Sequence, residues 1–318
     1  MTWIFLRKDG SKMRKCIAVL LIVISCAPIA AKNKAAEKRS GQKYIRIGHY
    51  QCVPIQGDFK ADLKTVIRGL EQAKEANLDI VSFPESFLGG YFSEEEDARE
   101  NAFSIDSPQM KELLEKTSRF ESMFMVGFNE IRGDKIYNTV ALIEKGRLIG
   151  TYSKAFPCMA YFSPGREFPV FEKKGLKFGI IICADGGHIE PARILALKGA
   201  TIIFAPHYNY VNNPLMHNQM VRSDHVARAV ENGVYFVRGN TVTSERSLKG
   251  LNYYGYGYGD SYVLNPHGVV VAAAGFYDEY LMVYNLDPTR KYRTSPDRSR
   301  GSAKALIDIY KKALDEAK

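Results

Sequence analysis

Short apolar runs alternate with stretches in which apolar residues recur every three or four positions, and this exchange of periods repeats from Tyr44 onward. A period of two, or an unbroken apolar run, marks a strand; the three-and-four spacing marks a helix with one buried face. Tyr44 to Tyr50 opens as an alternating strand. Asp58 can cap a helix whose inward face is Leu63, Val66, Ile67, Leu70 and Ala73. Asp79 to Phe83 is a short buried strand that stops at Pro84-Glu85. Ser107-Pro108 starts a second helix, with proline in its first turn, and Met110, Leu113, Leu114 and Thr117 face inward. Met123 to Phe128 predicts a strand, and Tyr137 to Ile143 with Leu148 to Tyr152 a hairpin turning at Lys145-Gly146. Phe178 to Ile182 is a fully apolar strand, Glu190 to Lys198 a helix, and Ala200 to Ala205 another buried strand. Residues 215–232 form a long helix and Val234 to Arg238 a strand. Ser261 to Asn265 and Val269 to Ala273 make a hairpin around Pro266-His267-Gly268, and Ser302 to Leu314 is a closing helix. The alternation predicts an α/β protein of about ten strands or more, a number that suits two packed sheets covered by helices. No internal repeat divides residues 44–318, which are read as one domain.

Charge changes the picture in one place. The net charge of +9 invites a nucleic-acid reading. Residues 1–43, however, carry ten Lys and Arg against Asp9 and Glu37, a net of +8, which leaves +1 for residues 44–318. The domain is nearly neutral, and a basic binding face for nucleic acid is not supported. The same N-terminal region reads as an export leader over residues 1–31, followed by a polar linker over 32–43. Met13-Arg14-Lys15 gives a charged start, with Met13 a possible true initiator, and Ile17 to Ile24 an apolar run too short to span a bilayer. Three outcomes stay open: cleavage near Ala31, an uncleaved anchor, or lipidation at Cys26, because Val23-Ile24-Ser25-Cys26 resembles a lipobox. The expected location is periplasmic or cell-surface, with a possible membrane tether through Cys26. The remaining cysteines, Cys52, Cys158 and Cys183, show no regular spacing, so neither a disulfide framework nor a zinc site follows.

Three polar residues sit where strands should end: Glu85, Lys154 and Cys183. Cys183 follows Ile180-Ile181-Ile182 and precedes Ala184-Asp185-Gly186-Gly187, the sequence of a sharp turn between a buried strand and a helix. Such a turn presents the thiol to a pocket, with the Ala184 N–H beside it to hold an oxyanion. A buried structural cysteine is the alternative. Glu85 suits a general base that takes the thiol proton and returns it to a leaving amine; a surface glutamate after a strand is the alternative. Lys154 suits an ammonium that stabilises a tetrahedral intermediate, or is a solvated lysine. Together, a carboxylate, an ammonium and a thiol can open an amide-like C–N bond without metal or cofactor.

With these residues the chain resembles the nitrilase superfamily of carbon–nitrogen hydrolases. Phe83-Pro84-Glu85, Tyr152-Ser153-Lys154 and Cys183-x-Asp185 match its three ordered motifs, and Glu190, Arg193, Arg228 to Asn232, Asn240, Gly259-Asp260-Ser261 and Asn265 to Gly268 extend the match over about residues 44–290. The resemblance implies a four-layer αββα sandwich that commonly pairs into a homodimer. It implies Glu85 as general base and acid, Lys154 as stabiliser of the tetrahedral intermediate, and Cys183 as a nucleophile passing through a thioester. It also implies that Glu231 and Asn232, at a helix end, are structural. The substrate expected is a small amide or carbamoyl compound with a non-peptide linear C–N bond. An acyltransferase using the same thioester, or a non-catalytic binding protein, are the alternatives. A nitrilase acting on nitriles fits less well, because Ala184-Asp185 stands where that branch usually has Trp-Glu. Two departures stand out. Residues 155–163 contain no acid, where many family amidases carry a further glutamate; Glu167 just beyond either substitutes or faces solvent, and the apolar segment either walls the pocket or packs against the core. Ile189 replaces the family's usual proline. His207 and Tyr208, with Tyr210, are candidate substrate contacts, and the tyrosine-rich run 253–259 a pocket rim or dimer surface.

Overall fold

A computed structural model gives the architecture and describes residues 44–244, 248–250, 256–289 and 307–317. The leader, the linker and Cys26 lie outside the described residues, as do Tyr253 and Tyr254. The first half contains β1 (Ile45–Gln51), α1 (Phe59–Glu75), β2 (Ile80–Ser82), α2 (Glu95–Glu100), α3 (Pro108–Thr117), β3 (Met123–Arg132), β4 (Lys135–Glu144) and β5 (Arg147–Ser153). Next come β6 (Val170–Lys173), β7 (Leu176–Ile180), a 3-10 turn (Cys183–Gly187), α4 (Ile189–Leu197), β8 (Ile202–Pro206) and β9 (Tyr210–Val211). The last part contains α5 (Pro214–Asn232), β10 (Tyr235–Gly239), β11 (Tyr256–Gly257), β12 (Tyr262–Leu264), β13 (Val270–Ala273) and β14 (Tyr280–Leu286), and residues 307–316 are helical.

Among the described residues two six-stranded sheets result, in the orders β14-β1-β2-β3-β4-β5 and β13-β12-β10-β8-β7-β6, with β9 and β11 as a separate pair. They are mixed: β1, β2 and β3 run parallel, as do β7, β8 and β10, while the flanking strands are antiparallel. The central strands are apolar on both faces because each face meets a different layer. Ile80 joins the core between the sheets, whereas its neighbour Val81 packs with Leu63, Val66 and Leu70 of α1 and Met110 and Leu113 of α3. In the second sheet Ile202 and Phe204 face the first, and Ile203 and Ala205 pack with Leu195 of α4 and Ala229 of α5. Helix, sheet, sheet and helix therefore stack as an αββα sandwich.

The helix starts follow the expected chemistry. Asp58 accepts from the Ala61 N–H, Ser107 from Met110 with Pro108 in the first turn, and Asn213 from Met216. α5 stops at Gly233, whose left-handed backbone (φ +62°) closes the last turn. Both predicted hairpins form, as β4–β5 and β12–β13. The apolar run at 178–182 differs from expectation: its ladder begins at Leu176 and ends at Ile180. Ile181 and Ile182 remain fully buried beyond it and lead the chain into the 3-10 turn. The edge strands β6 and β14 and the short helix α2 carry little pattern of their own. β14 exists because it pairs antiparallel along the whole of β1, from Ile45–Leu286 to Gln51–Tyr280.

Candidate functional site

Parallel strands place their carboxyl ends on one side of a sheet, which is where open α/β sheets hold ligands. Glu85 follows β2 there. Phe83 anchors the exit, fully buried with ring centroids 5.9 Å from Tyr50 and 6.2 Å from Phe87 and Phe124. Ser86 then takes a left-handed backbone (φ +43°), which reverses the chain and leaves Glu85 inside. The Glu85 side chain is 1 % exposed. Its Oε1 accepts from Lys154 Nζ at 2.7 Å and from Asn138 Nδ2 at 2.7 Å. Its Oε2 is buried without a hydrogen-bond partner among the described residues.

Lys154 follows β5 and is equally buried. Its backbone N–H donates to Asn138 O at 2.8 Å, so one residue of β4 sets both the lysine backbone and the glutamate carboxylate. Lys154 Nζ also donates to Cys158 Sγ at 3.6 Å. Burial alone would favour a neutral amine, but the surrounding Cys183, Glu85, Tyr91 and Cys158 together hold the lysine well above its ordinary value. An ammonium has three donors, and these contacts occupy two of them.

Cys183 begins the 3-10 turn with φ +46°, a strained conformation for a residue with a side chain. The strain is held by Asp185, which is fully buried and accepts four hydrogen bonds. Its Oδ2 receives Ile182 N at 2.9 Å and Tyr152 OH at 2.7 Å; its Oδ1 receives Ala155 N at 3.1 Å and Phe156 N at 2.8 Å. One carboxylate thus ties the cysteine turn to the segment after Lys154. Cys183 Sγ accepts from Asn209 Nδ2 at 3.5 Å. Asn209 is fixed from behind by Arg238, whose Nη2 donates to its Oδ1 at 2.8 Å and to Tyr258 OH at 2.9 Å.

Glu85, Cys183, Ala184, His207 and Tyr208 all line one cavity of about 430 Å³, with Lys154 behind Glu85 and Cys158. Tyr208 stacks between Tyr91 and Tyr210, at centroid distances of 5.4 Å and 5.0 Å, and forms an aromatic wall. His207 is buried and held below its ordinary value by burial and by the Arg238 charge, so its ring is neutral. Met159 brings the 155–163 segment to the cavity, as the apolar-wall reading expects, but Tyr161 turns away and donates to Phe92 O at 2.7 Å. Glu167 is exposed and does not line the cavity. Tyr258 is neither rim nor surface: it is fully buried behind the site. Ile189 is the first residue of α4, which His188 precedes without a side-chain cap.

Sequence reasoning missed Asn138, Asn209, Arg238 and Asp224. Asp224, on α5, brings a half-buried carboxyl to the cavity, and burial raises it. The role of Cys158 was also hidden. Hydrogen bonding towards Cys183, with the Lys154 charge, lowers the Cys158 thiol to about 6 against the opposing effect of burial. The same interaction, burial and the Glu85 charge push Cys183 well above the ordinary thiol value. Iodoacetamide labelling read by peptide mapping is therefore expected to rise through about pH 6 at Cys158 and at much higher pH at Cys183. A Cys158 profile centred on the ordinary thiol value of about 8.5 would contradict this assignment.

Comparison with known proteins fits the geometry. The family model described as "Carbon-nitrogen hydrolase" matches residues 46–294. A nitrilase of Pyrococcus abyssi is 32% identical over 249 residues, covering 76% of this chain and 90% of its own. An N-carbamoylputrescine amidase of Solanum tuberosum is 27% identical over 254 residues, covering 72% and 82%. The solved structure of the NitN amidase from a Nesterenkonia species superposes with a TM-score of 0.69 at 19% identity, covering 83% of this chain and 99% of that one, and shares the fold. The chain belongs to the carbon–nitrogen hydrolase family of the nitrilase superfamily and is a hydrolase of carbon–nitrogen bonds.

Proposed function

We propose that the chain hydrolyses a non-peptide linear amide or carbamoyl compound through a thioester on Cys183. The observation that carries this reading is the buried Glu85–Lys154 pair beside a strained cysteine in a single cavity. Cys183 rests as a thiol, so its proton must be removed, and the unpartnered Glu85 Oε2 is the base available to remove it. The thiolate attacks the carbonyl carbon. The remaining Lys154 donor and the Ala184 N–H hold the oxyanion. Glu85 returns its proton to the nitrogen, the amine or ammonia leaves, and water activated by Glu85 then releases the acid and restores the thiol. His207 and the Tyr91–Tyr208–Tyr210 wall contact the substrate stem. Ammonia and amine release from a panel of amides, ureido acids and nitriles, run beside Cys183→Ala, tests the reading. Release from amides or ureido acids that vanishes in the variant is expected; release from nitriles alone, or from both proteins equally, refutes it. Added amines in the same assay distinguish hydrolysis from acyl transfer.

One backbone contact sets the position of Glu85. A Cβ on Gly127 would lie 2.3 Å from Ser86 N and 2.7 Å from the Glu85 carbonyl carbon. Gly127→Ala is expected to displace the Glu85 loop, costing about 1–3 kcal/mol of stability and on the order of 10²-fold in kcat. Kinetics and a thermal melt check this; a variant with unchanged kcat would show that the close approach does not position the base.

A further inference from the structure

The proposed mechanism uses one thiol, yet the cavity holds two. Cys158 and Cys183 both line it, each acts on the other's ionisation, and Lys154 Nζ lies 3.6 Å from Cys158 Sγ. Cys158 is exposed on the segment that follows β5, while Cys183 is half-buried in its turn. An exposed thiol beside a fixed ammonium is the usual setting of a peroxide-sensitive cysteine, and a second thiol on the wall of the same cavity is the usual setting of a resolving one. Among the described residues the third thiol, Cys52, is buried and does not line the cavity.

We propose that Cys158 and Cys183 form a redox modification site, in which hydrogen peroxide joins them as a reversible disulfide that withdraws Cys183 from catalysis. The Cys158 thiolate attacks one peroxide oxygen, the O–O bond breaks, and with one proton the products are the Cys158 sulfenic acid and water. The Cys183 thiol then attacks the Cys158 sulfur; an S–S bond forms, the S–O bond breaks, and the Cys183 proton leaves with the hydroxyl as a second water. The two sulfurs supply the two electrons that reduce the peroxide. A small dithiol reverses the change by thiol–disulfide exchange. Lys154 favours the first step by holding the thiolate of Cys158.

The test uses the full chain and about one equivalent of hydrogen peroxide, followed by blocking of free thiols and a non-reducing tryptic map. Cleavage after Lys154, Arg166, Lys177 and Arg193 puts the two cysteines on separate peptides, 155–166 and 178–193. The expected result is a cross-linked pair about 2 Da lighter than the sum of the two peptides, which disappears on reduction. Amide hydrolysis is expected to fall more than about ten-fold and to return with dithiothreitol. In Cys158→Ser no cross-link forms, and the residual activity loss at the same dose is not recovered by dithiothreitol. Recovery of Cys158 as its sulfinic or sulfonic acid with Cys183 still a free thiol overturns the proposal. So does a Cys158→Ser protein that loses and regains activity like the unaltered chain. The map reads the bond without any turnover, so absence of amide hydrolysis in the untreated protein would count against the proposed function alone.

Discussion

Cys183→Ala is expected to lose about 10⁴-fold or more in kcat/KM, a barrier increase of roughly 5.5 kcal/mol, with little change in stability. The substitution keeps the backbone type at φ +46° and removes the sulfur that Asn209 contacts. Glu85→Gln should cost about 10²–10⁴-fold, because the amide preserves an oxygen for Lys154 and Asn138 but cannot take a proton. Lys154→Met behaves differently. It removes the oxyanion donor, worth about 10²–10³-fold, and also strands the Glu85 carboxylate in a buried site, a loss of about 3–5 kcal/mol. Glu85→Gln with Lys154→Met should therefore recover much of that stability while remaining inactive. Thermal melts of the four proteins, read beside their kinetics, decide the matter. A single Lys154→Met variant as stable as the original chain would mean that the two side chains do not form a buried pair. A Cys183→Ala protein that still turns over would remove the nucleophile from the mechanism.

Asp185→Ala should be the most damaging change outside the reacting groups. The carboxylate receives four donors, and its loss leaves Tyr152 OH and the N–H groups of Ile182, Ala155 and Phe156 buried without it. Each unsatisfied buried donor costs about 1–3 kcal/mol and such costs do not simply add, so a total near 4 kcal/mol is expected. For a domain of this size that is a fall of about 10 °C in Tm. Asp185→Asn is no rescue, since its amide nitrogen would face donors. Activity should fall further than the folded fraction explains, because the same bonds hold Cys183 in its strained turn and the segment carrying Cys158. Calorimetry and single-turnover kinetics on the folded protein test this. A fall in Tm with an unchanged acylation rate would leave Asp185 with structural duties alone.

The three motif residues were singled out because each ends a predicted strand and together they match the ordered motifs of the resembled family, and the core-facing side of α1 was legible because its spacing fixes a face. Leu63, Val66, Leu70 and Ala73 are all buried as that spacing requires. Glu167 and Tyr258 stayed open for the opposite reason. Nothing local says whether a polar or aromatic residue in a loop turns inward; Glu167 is exposed, and Tyr258 is buried under Arg238. Cys158 sat in an apolar stretch and read as wall, while its proximity to Cys183 depends on how two loops meet.

By itself the sequence determined the exchange of strand and helix, the caps at Asp58 and Ser107, the order of glutamate, lysine and cysteine, and the near-neutral charge of the domain. These are properties of neighbours along the chain, where periodicity, capping and turn chemistry act. Only the tertiary structure decided that Lys154 meets Glu85 across 69 positions, that Asn138 of β4 holds both, that Arg238 steadies Asn209 against Cys183, and that Asp185 locks the turn. Those contacts follow from sheet order and register, which arise when two sheets pack and bury their shared core. Local patterns leave that arrangement open because the same strands could pair in other orders.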